Sequence, residues 1–285
     1  MQIDLTKINN PNDSIAENHV FFKRDDKHLF TAEYIPKRTV EKGVVLCAPF
    51  AEEKVRTVRI FISLSRALAT LGIAVVYFDY FGDGDSEGAF EDADFDDRLK
   101  DIRAVYNNFQ KKHNLQRMGL LGLRWGGTLA TLCLDALQPD LLVLWEPVVD
   151  TEKYFFNHLR SHVAAQMLVD GKVTKNRDEM VEELRNGQIH MVEGYNLTGD
   201  FFFKAQQEGL LGKQFSYPGK VQIVQISGNP ARIRPELVTL KEAFPEGEIV
   251  AVPREFEWEK TETWQPAPPE LFAKTLEFLE ENDFF

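Results

Sequence analysis

Arg124 stands at the centre of Gly122-Leu123-Arg124-Trp125-Gly126-Gly127, with glycines two positions before and two after it. That spacing has a steric cause. Where a strand turns abruptly into a helix, the central residue is held at a strained backbone angle, and side chains at the flanking positions would collide with strand or helix. Such a turn presents its central side chain at the edge of a sheet, and in enzymes that side chain is a nucleophile. A guanidinium stays protonated at any physiological pH, so Arg124 can be neither nucleophile nor general base. It can bind an anion or polarise a carbonyl oxygen.

A second pattern, Asp79-Tyr80-Phe81-Gly82-Asp83-Gly84-Asp85-Ser86-Glu87-Gly88, precedes the first. Alone it reads as a tight turn, or as an acidic calcium-type loop that lacks the closing bidentate glutamate at the right spacing. Taken together and in this order, the two motifs resemble those of α/β-hydrolases. The chain is similar to the second group of hydrolases associated with the exosortase A system, relatives of the serine aminopeptidase-like α/β-hydrolases. The matching segments are Pro49-Phe50-Ala51-Glu52-Glu53, Gly122-Leu123-Arg124, Leu144-Trp145-Glu146-Pro147-Val148 and Gly194-Tyr195-Asn196-Leu197. The resemblance covers most of the chain. It implies an α/β-hydrolase fold, an eight-stranded, mostly parallel sheet flanked by helices with a helical cap inserted after the sixth strand. A shared fold records ancestry and does not by itself show chemistry.

In that fold the catalytic residues follow the order Ser, Asp or Glu, His. The elbow holds Arg124. The usual acid loop, Asn229-Pro230-Ala231-Arg232-Ile233-Arg234, has no carboxylate before Glu236, and Glu146, ending the sixth strand, is the best surviving acid. Residues Pro253 to Pro268 contain no histidine, and His19, His28, His113, His158, His162 and His190 all precede the end of the cap segment. Without nucleophile and base the covalent route is gone, so the expectation is a degenerate triad.

Arg124 would lie at the start of a helix beginning near Trp125, where unpaired amides and the helix dipole already favour negative charge. Its own charge therefore calls for an anion, either a ligand or a carboxylate from Glu52, Glu53 or Glu146. The amides of Trp125 and Phe50 occupy the oxyanion-hole positions. The candidate ligand-binding set is thus Arg124, Trp125, Phe50, Glu52 and Glu146. Three readings remain open: a non-hydrolytic binder of a small anionic or acyl-bearing molecule between core and cap, a hydrolase of esters or thioesters whose water is activated by Glu146 or Glu52, and an interaction protein using the cap surface. His158 and His162 have the spacing of zinc ligands but no evident third partner, so packing is favoured and no metal is expected. The aromatic clusters at 154–156 and 201–203 read as cap core, and the acidic run from Glu255 to Glu262 as a solvated loop.

The elements that must position these residues alternate. A leading hairpin, from His19 to Lys23 and Leu29 to Tyr34, flanks a turn at Arg24-Asp25-Asp26-Lys27. Strands at Gly43–Phe50, Ile73–Asp79, Met118–Gly122 and Leu141–Trp145 are separated by helices at Val58–Leu71, Phe95–Lys112 and Trp125–Leu137. Three amphipathic stretches, Thr151–Val169, Arg177–Asn186 and Asn196–Gly209, follow without an obvious strand. The rhythm resumes with Val221–Ser227, Pro235–Ala243, Glu248–Val252 and Pro269–Asn282. This divides the chain into a core of 1–146 and 219–285 and a cap of 147–218.

With 285 residues and 44% hydrophobic content, the chain can bury a full core. Its net charge of −12, spread along the sequence, argues against nucleic acid or an anionic membrane surface as a partner. Met1 to Asn10 has neither a basic n-region nor an apolar core, and no apolar run approaches the roughly 18 to 20 residues of a membrane span. Cys47 and Cys133 sit in apolar runs and read as buried thiols. The expectation is a cytoplasmic protein with a small-molecule ligand, no membrane partner and no cofactor.

Overall fold

The computed structural model describes residues 14–258 and 267–285. Strands β1 (Ile15–Arg24) and β2 (Lys27–Pro36) form the antiparallel hairpin at one edge. Its turn is tighter than the sequence suggests, with Asp25 at φ +54°, an angle that aspartate tolerates better than most residues. Next come β3 (Lys42–Cys47), β4 (Ala74–Phe78), β5 (Arg117–Leu123) and β6 (Leu141–Trp145). Two short strands, β7 (His190–Val192) and β8 (Tyr195–Leu197), pair only with each other. With β9 (Lys220–Ser227) and β10 (Gly247–Pro253), the main sheet has eight strands in the order β1-β2-β4-β3-β5-β6-β9-β10. Beyond the antiparallel β2–β4 pairing all neighbours are parallel. Every residue of β4 and β6 is buried, as in a parallel sheet covered on both faces.

Helices α1 (Ala51–Leu71), α2 (Phe95–His113), α3 (Trp125–Leu132) and α4 (Leu134–Leu137) precede β6. Three more, α5 (Thr151–Asp170), α6 (Arg177–Arg185) and α7 (Gly199–Gln207), lie between β6 and β9. The chain closes with α8 (Pro235–Glu242) and α9 (Pro269–Glu281). The Trp145 ring stacks between Phe61 of α1 and Phe272 of α9, at 6.2 and 6.0 Å between centroids, and its N–H donates to Thr275 at 2.9 Å. Two helices are thereby fixed over the strand that leads into the helical segment.

The sequence misplaced some boundaries for identifiable reasons. Helix α1 starts at Ala51 and not Val58, because Glu52 and Glu53 suit a helix N-terminus while breaking the apolar periodicity. Strand β3 therefore ends at Cys47, and Phe50 becomes the residue that opens α1. The helix expected over Trp125–Leu137 breaks at Cys133. The helix expected from Asn196 begins at Gly199: Glu193 and Gly194, at φ +53° and +88°, reverse the chain into the β7–β8 ribbon, and the Thr198 hydroxyl then accepts the Phe201 amide. Cys47 and Cys133 are buried and free. No helix among the described residues is long and apolar enough to cross a membrane.

Candidate functional site

Arg124 connects β5 to α3 at φ +53° and ψ −124°, the strained angle its motif implies. The flanking glycines are sterically obligatory. A Cβ at Gly126 would lie 2.2 Å from the Cys47 carbonyl oxygen and 2.4 Å from that of Ala48, and one at Gly122 would lie 2.5 Å from Gly127 backbone atoms. The Arg124 amide donates to the Trp145 carbonyl at 2.8 Å, which ties the turn to the end of β6.

The guanidinium meets Glu53, from the first turn of α1. Nε and Nη2 donate to Glu53 Oε1 at 3.3 and 3.2 Å, and the Tyr154 hydroxyl of α5 donates to Oε2 at 2.8 Å. Glu53 and Tyr154 are buried. Burial pushes the Tyr154 hydroxyl far above its usual pKa and the Glu53 charge adds to this, so the phenol remains a donor. Burial works against the arginine's charge, but Glu53, Tyr154 and Glu146 outweigh it and the pKa rises. The guanidinium carbon also lies 5.4 Å from the Tyr154 ring centroid and 5.1 Å from that of Trp258.

Of the other expected site residues, only Glu52 shares a cleft with Arg124, and it pairs with Arg56 at 3.3 Å. Glu146 sits at φ +48°, which turns its carboxylate to the Ile226 amide, 2.7 Å away, and to Arg234, 2.5 Å away. Both of its oxygens are engaged. Phe50 and Trp125 are buried in an aromatic cluster with Phe90, Phe155 and Phe201, at centroid distances of 5.2 to 5.9 Å. Neither borders the cleft. The aromatic segments at 154–156 and 201–203 thus contribute core, as their composition suggests, and fill the space behind the elbow.

In front of the elbow is an open cleft of about 740 Å³, bordered by Glu52, Glu53 and Arg56 of α1, by Arg124 and Trp258, and by one side of α5. His158 lines it. Its Nδ1 lies 3.0 Å from Glu193, and its ring packs against Tyr154 at 4.6 Å. Among the described residues no three His, Cys, Asp or Glu side chains gather as metal ligands. The Asp/Gly-rich loop is a turn built around a buried lysine: Lys54 Nζ lies 2.7 Å from Asp79 and 3.2 Å from Asp83, and a Cβ at Gly84 would strike the Asp79 carboxylate.

The model of the serine aminopeptidase family S33 matches residues 39–188, which is more than half of the chain and includes the elbow. The chain belongs to this family. No curated protein sequence matches it. Among solved structures it is similar to the Est1E protein of Butyrivibrio proteoclasticus, described with ferulic acid bound, at 18% identity and a TM-score of 0.67 over 93% of this chain and 99% of that one. It is also similar to mouse α/β-hydrolase domain-containing protein 10, at 15% identity and a TM-score of 0.59 over 93% and 98%. At these identities the likeness shows the α/β-hydrolase fold.

Sequence reasoning missed three cleft residues. Trp258, in the loop after β10 where catalytic members of the fold carry histidine, packs on Arg124, and its carbonyl accepts Arg56 at 3.2 Å. Tyr154 reads as cap core, yet its hydroxyl reaches the buried pair. His158 reads as packing, yet it faces the cleft with a carboxylate partner. The supposed solvated loop is also partly structural: Glu255 accepts the amides of Glu270 and Leu271 at the start of α9, at 3.0 and 3.4 Å. Residues 259–262 of that loop lie outside the described residues, as does the start from Met1 to Asn10.

Proposed function

We propose that this protein is a non-hydrolytic receptor that holds a small anionic or acyl-bearing molecule between the sheet and the helical segment, its family's catalytic triad being degenerate. The observation that carries the reading is the hydrogen-bonding capacity of Arg124 that is left unspent among the described residues, in an open cleft. A guanidinium has five N–H donors, and only two go to Glu53. Glu53 and Tyr154 hold the fork in one orientation, which lowers the ordering cost of binding. The similarity of the elbow and cap segments to exosortase A-associated hydrolases suggests a link to exopolysaccharide or protein sorting.

Phosphate, sulfate and acetate, screened by thermal shift and titrated calorimetrically, are expected to bind. Arg124→Lys keeps a cation beside Glu53 but loses the fork. A charge-assisted hydrogen bond is worth about 1.5–3 kcal/mol, so affinity should fall roughly 10- to 100-fold in that variant. Equal shifts in both proteins, or none in either, would remove the receptor. A fluorophosphonate probe should leave the protein unlabelled, and Arg124→Ser should not hydrolyse p-nitrophenyl acetate above an Arg124→Ala control, since no histidine stands at the family's base position. Stoichiometric labelling of a cleft serine contradicts this.

One observation favours a second reading, a hydrolase without a covalent intermediate. The His158–Glu193 pair borders the same cleft and has the carboxylate–imidazole arrangement of a general base. If it acts so, ester turnover is insensitive to fluorophosphonate and is abolished by His158→Gln. Absence of turnover across an ester panel leaves the receptor reading alone.

A further inference from the structure

Two clefts meet at Arg124, Tyr154 and Asn157, the one described above and a smaller one of about 410 Å³ that no histidine borders among the described residues. Around the larger cleft the charges balance, except at one side chain. Arg56, Arg124 and Arg160 stand with Glu52, Glu53 and Glu193, so three cations meet three carboxylates, and among the described residues His158 is left to set the net charge. The arginines keep their protons at any physiological pH. Burial works against the charge of Glu193, but the hydrogen bond and charge of His158, with Arg56 and His162, outweigh it and hold that pKa low. The Tyr154 hydroxyl stays neutral, so the imidazole is the group of this cleft whose charge can change near neutrality.

What His158 can do is decided by its partner. An ionised carboxylate only accepts, so Nδ1, 3.0 Å from Glu193, must carry the ring hydrogen. A neutral imidazole held in that tautomer presents a lone pair at Nε2. Nε2 has no hydrogen-bond partner among the described residues, and the side chain, 11% exposed, borders the cleft. Towards an anion the lone pair is repulsive, whereas the N–H of an imidazolium is a charge-assisted donor. The Tyr154 ring centroid is 4.6 Å from the imidazole centroid and 5.4 Å from the guanidinium carbon of Arg124, so the two groups flank the same stretch of cleft.

Resting on the receptor reading above, we propose that the protein takes up its anion together with a proton, which binds at Nε2 of His158. With the imidazole neutral, the cleft is balanced and Nε2 repels the ligand. With the imidazolium, the cleft gains one positive charge and a donor beside Arg124. The anion then raises the proton affinity of His158 by the same factor by which the proton raises the anion's affinity, so binding weakens as pH rises. The other titratable groups packed around the His158–Glu193 pair are His162 on α5, His190 on β7, which pairs with Glu183 at 2.8 Å, and Tyr195 on β8. None of these three borders the cleft, and they act on the pair through charge alone.

Sulfate is the probe, because its own charge is constant over the range in which imidazole titrates, about pH 5 to 8. The full chain is titrated calorimetrically with sulfate across that range, and the acid needed to hold the pH on mixing is read in a pH-stat. Binding should consume up to about one proton per sulfate, and affinity should fall by up to about tenfold for each pH unit raised. His158→Gln should bind sulfate with an affinity independent of pH and without proton uptake. Glu193→Gln should lose the uptake too, because its amide can donate to Nδ1 and let the neutral ring carry its hydrogen on Nε2. His162→Gln should behave as the unaltered protein does. A wild-type affinity that is flat with pH overturns the inference, and so does proton uptake that survives His158→Gln. If Arg124→Lys weakens sulfate binding while no proton is taken up, the coupled proton falls and the receptor stands. If sulfate binds at no pH in the range, both fall.

Discussion

Arg124→Ala is expected to destabilise the folded protein by about 3–5 kcal/mol, the range for removing one partner of a buried ion pair. The cost arises less from the lost attraction than from what remains. Glu53 is buried and accepts Arg124 on one oxygen and Tyr154 on the other. Without the guanidinium, one neutral phenol is left to satisfy a carboxylate whose side chain is only 7% exposed. Because Tyr154 lies on α5 and Glu53 on α1, the loss also loosens the helical segment from the sheet. Chemical unfolding of Arg124→Ala, Glu53→Ala and the double variant measures this. The double variant should be less destabilised than the sum of the singles, since removing both charges leaves no orphan. Strict additivity, with a single-variant loss below about 1 kcal/mol, would show the pair to be ornamental. The same residue is therefore asked to hold the fold and to meet a ligand. For that reason binding is tested with Arg124→Lys, and stability with alanine.

An equally large effect is expected at a position that carries no side chain. Gly126→Ala places a Cβ at 2.2 and 2.4 Å from two backbone carbonyl oxygens at the end of β3. Backbone there is anchored by the sheet and cannot yield as a flexible side chain would, so the loss should reach at least about 3 kcal/mol, the upper part of the range for overpacking. Gly187→Ala is the control. Unlike Gly126, Gly187 has a positive φ, +80°, and nothing lies within 4 Å of its would-be Cβ. Its substitution carries only the left-handed conformational penalty, roughly 1–2 kcal/mol. Equal urea midpoints for the two variants would mean that the elbow is looser than its distances imply.

Much of this architecture is legible in the sequence, because it follows from local rules. The apolar runs of β4 and β6 and the alternation with helices specify a covered parallel sheet, and the glycines around Arg124 specify the elbow's sterics. That Arg124 needs an anion follows from its charge at a helix start. Which anion does not follow. Glu52, Glu53 and Glu146 all stand at the right edge, and the choice falls to Glu53 because the positive φ at Glu146 turns that carboxylate towards Ile226 and Arg234, while Glu52 is drawn to Arg56. Tyr154, His158 and Trp258 escaped for another reason. Tyr154 meets Glu53 across 101 positions of sequence, and no periodicity within α5 records which of its aromatic residues turns towards the sheet. Phe50 and Trp125 show the converse: their positions in the motif were legible, but the aromatic packing that takes their rings into the core is a property of the assembled fold.

The position of Trp258 has a spectroscopic consequence. Its indole borders the larger cleft in contact with the guanidinium, whereas Trp125 and Trp145 are enclosed in the core and border neither cleft at the elbow. A cation held against an excited indole alters its emission, and that field changes whenever a ligand charge arrives beside Arg124. The chain thus carries its own optical gauge of occupancy. A Trp258→Phe variant removes the tryptophan that borders the cleft among the described residues, which separates its signal from that of the others, and ligand arrival can be followed without attaching a dye.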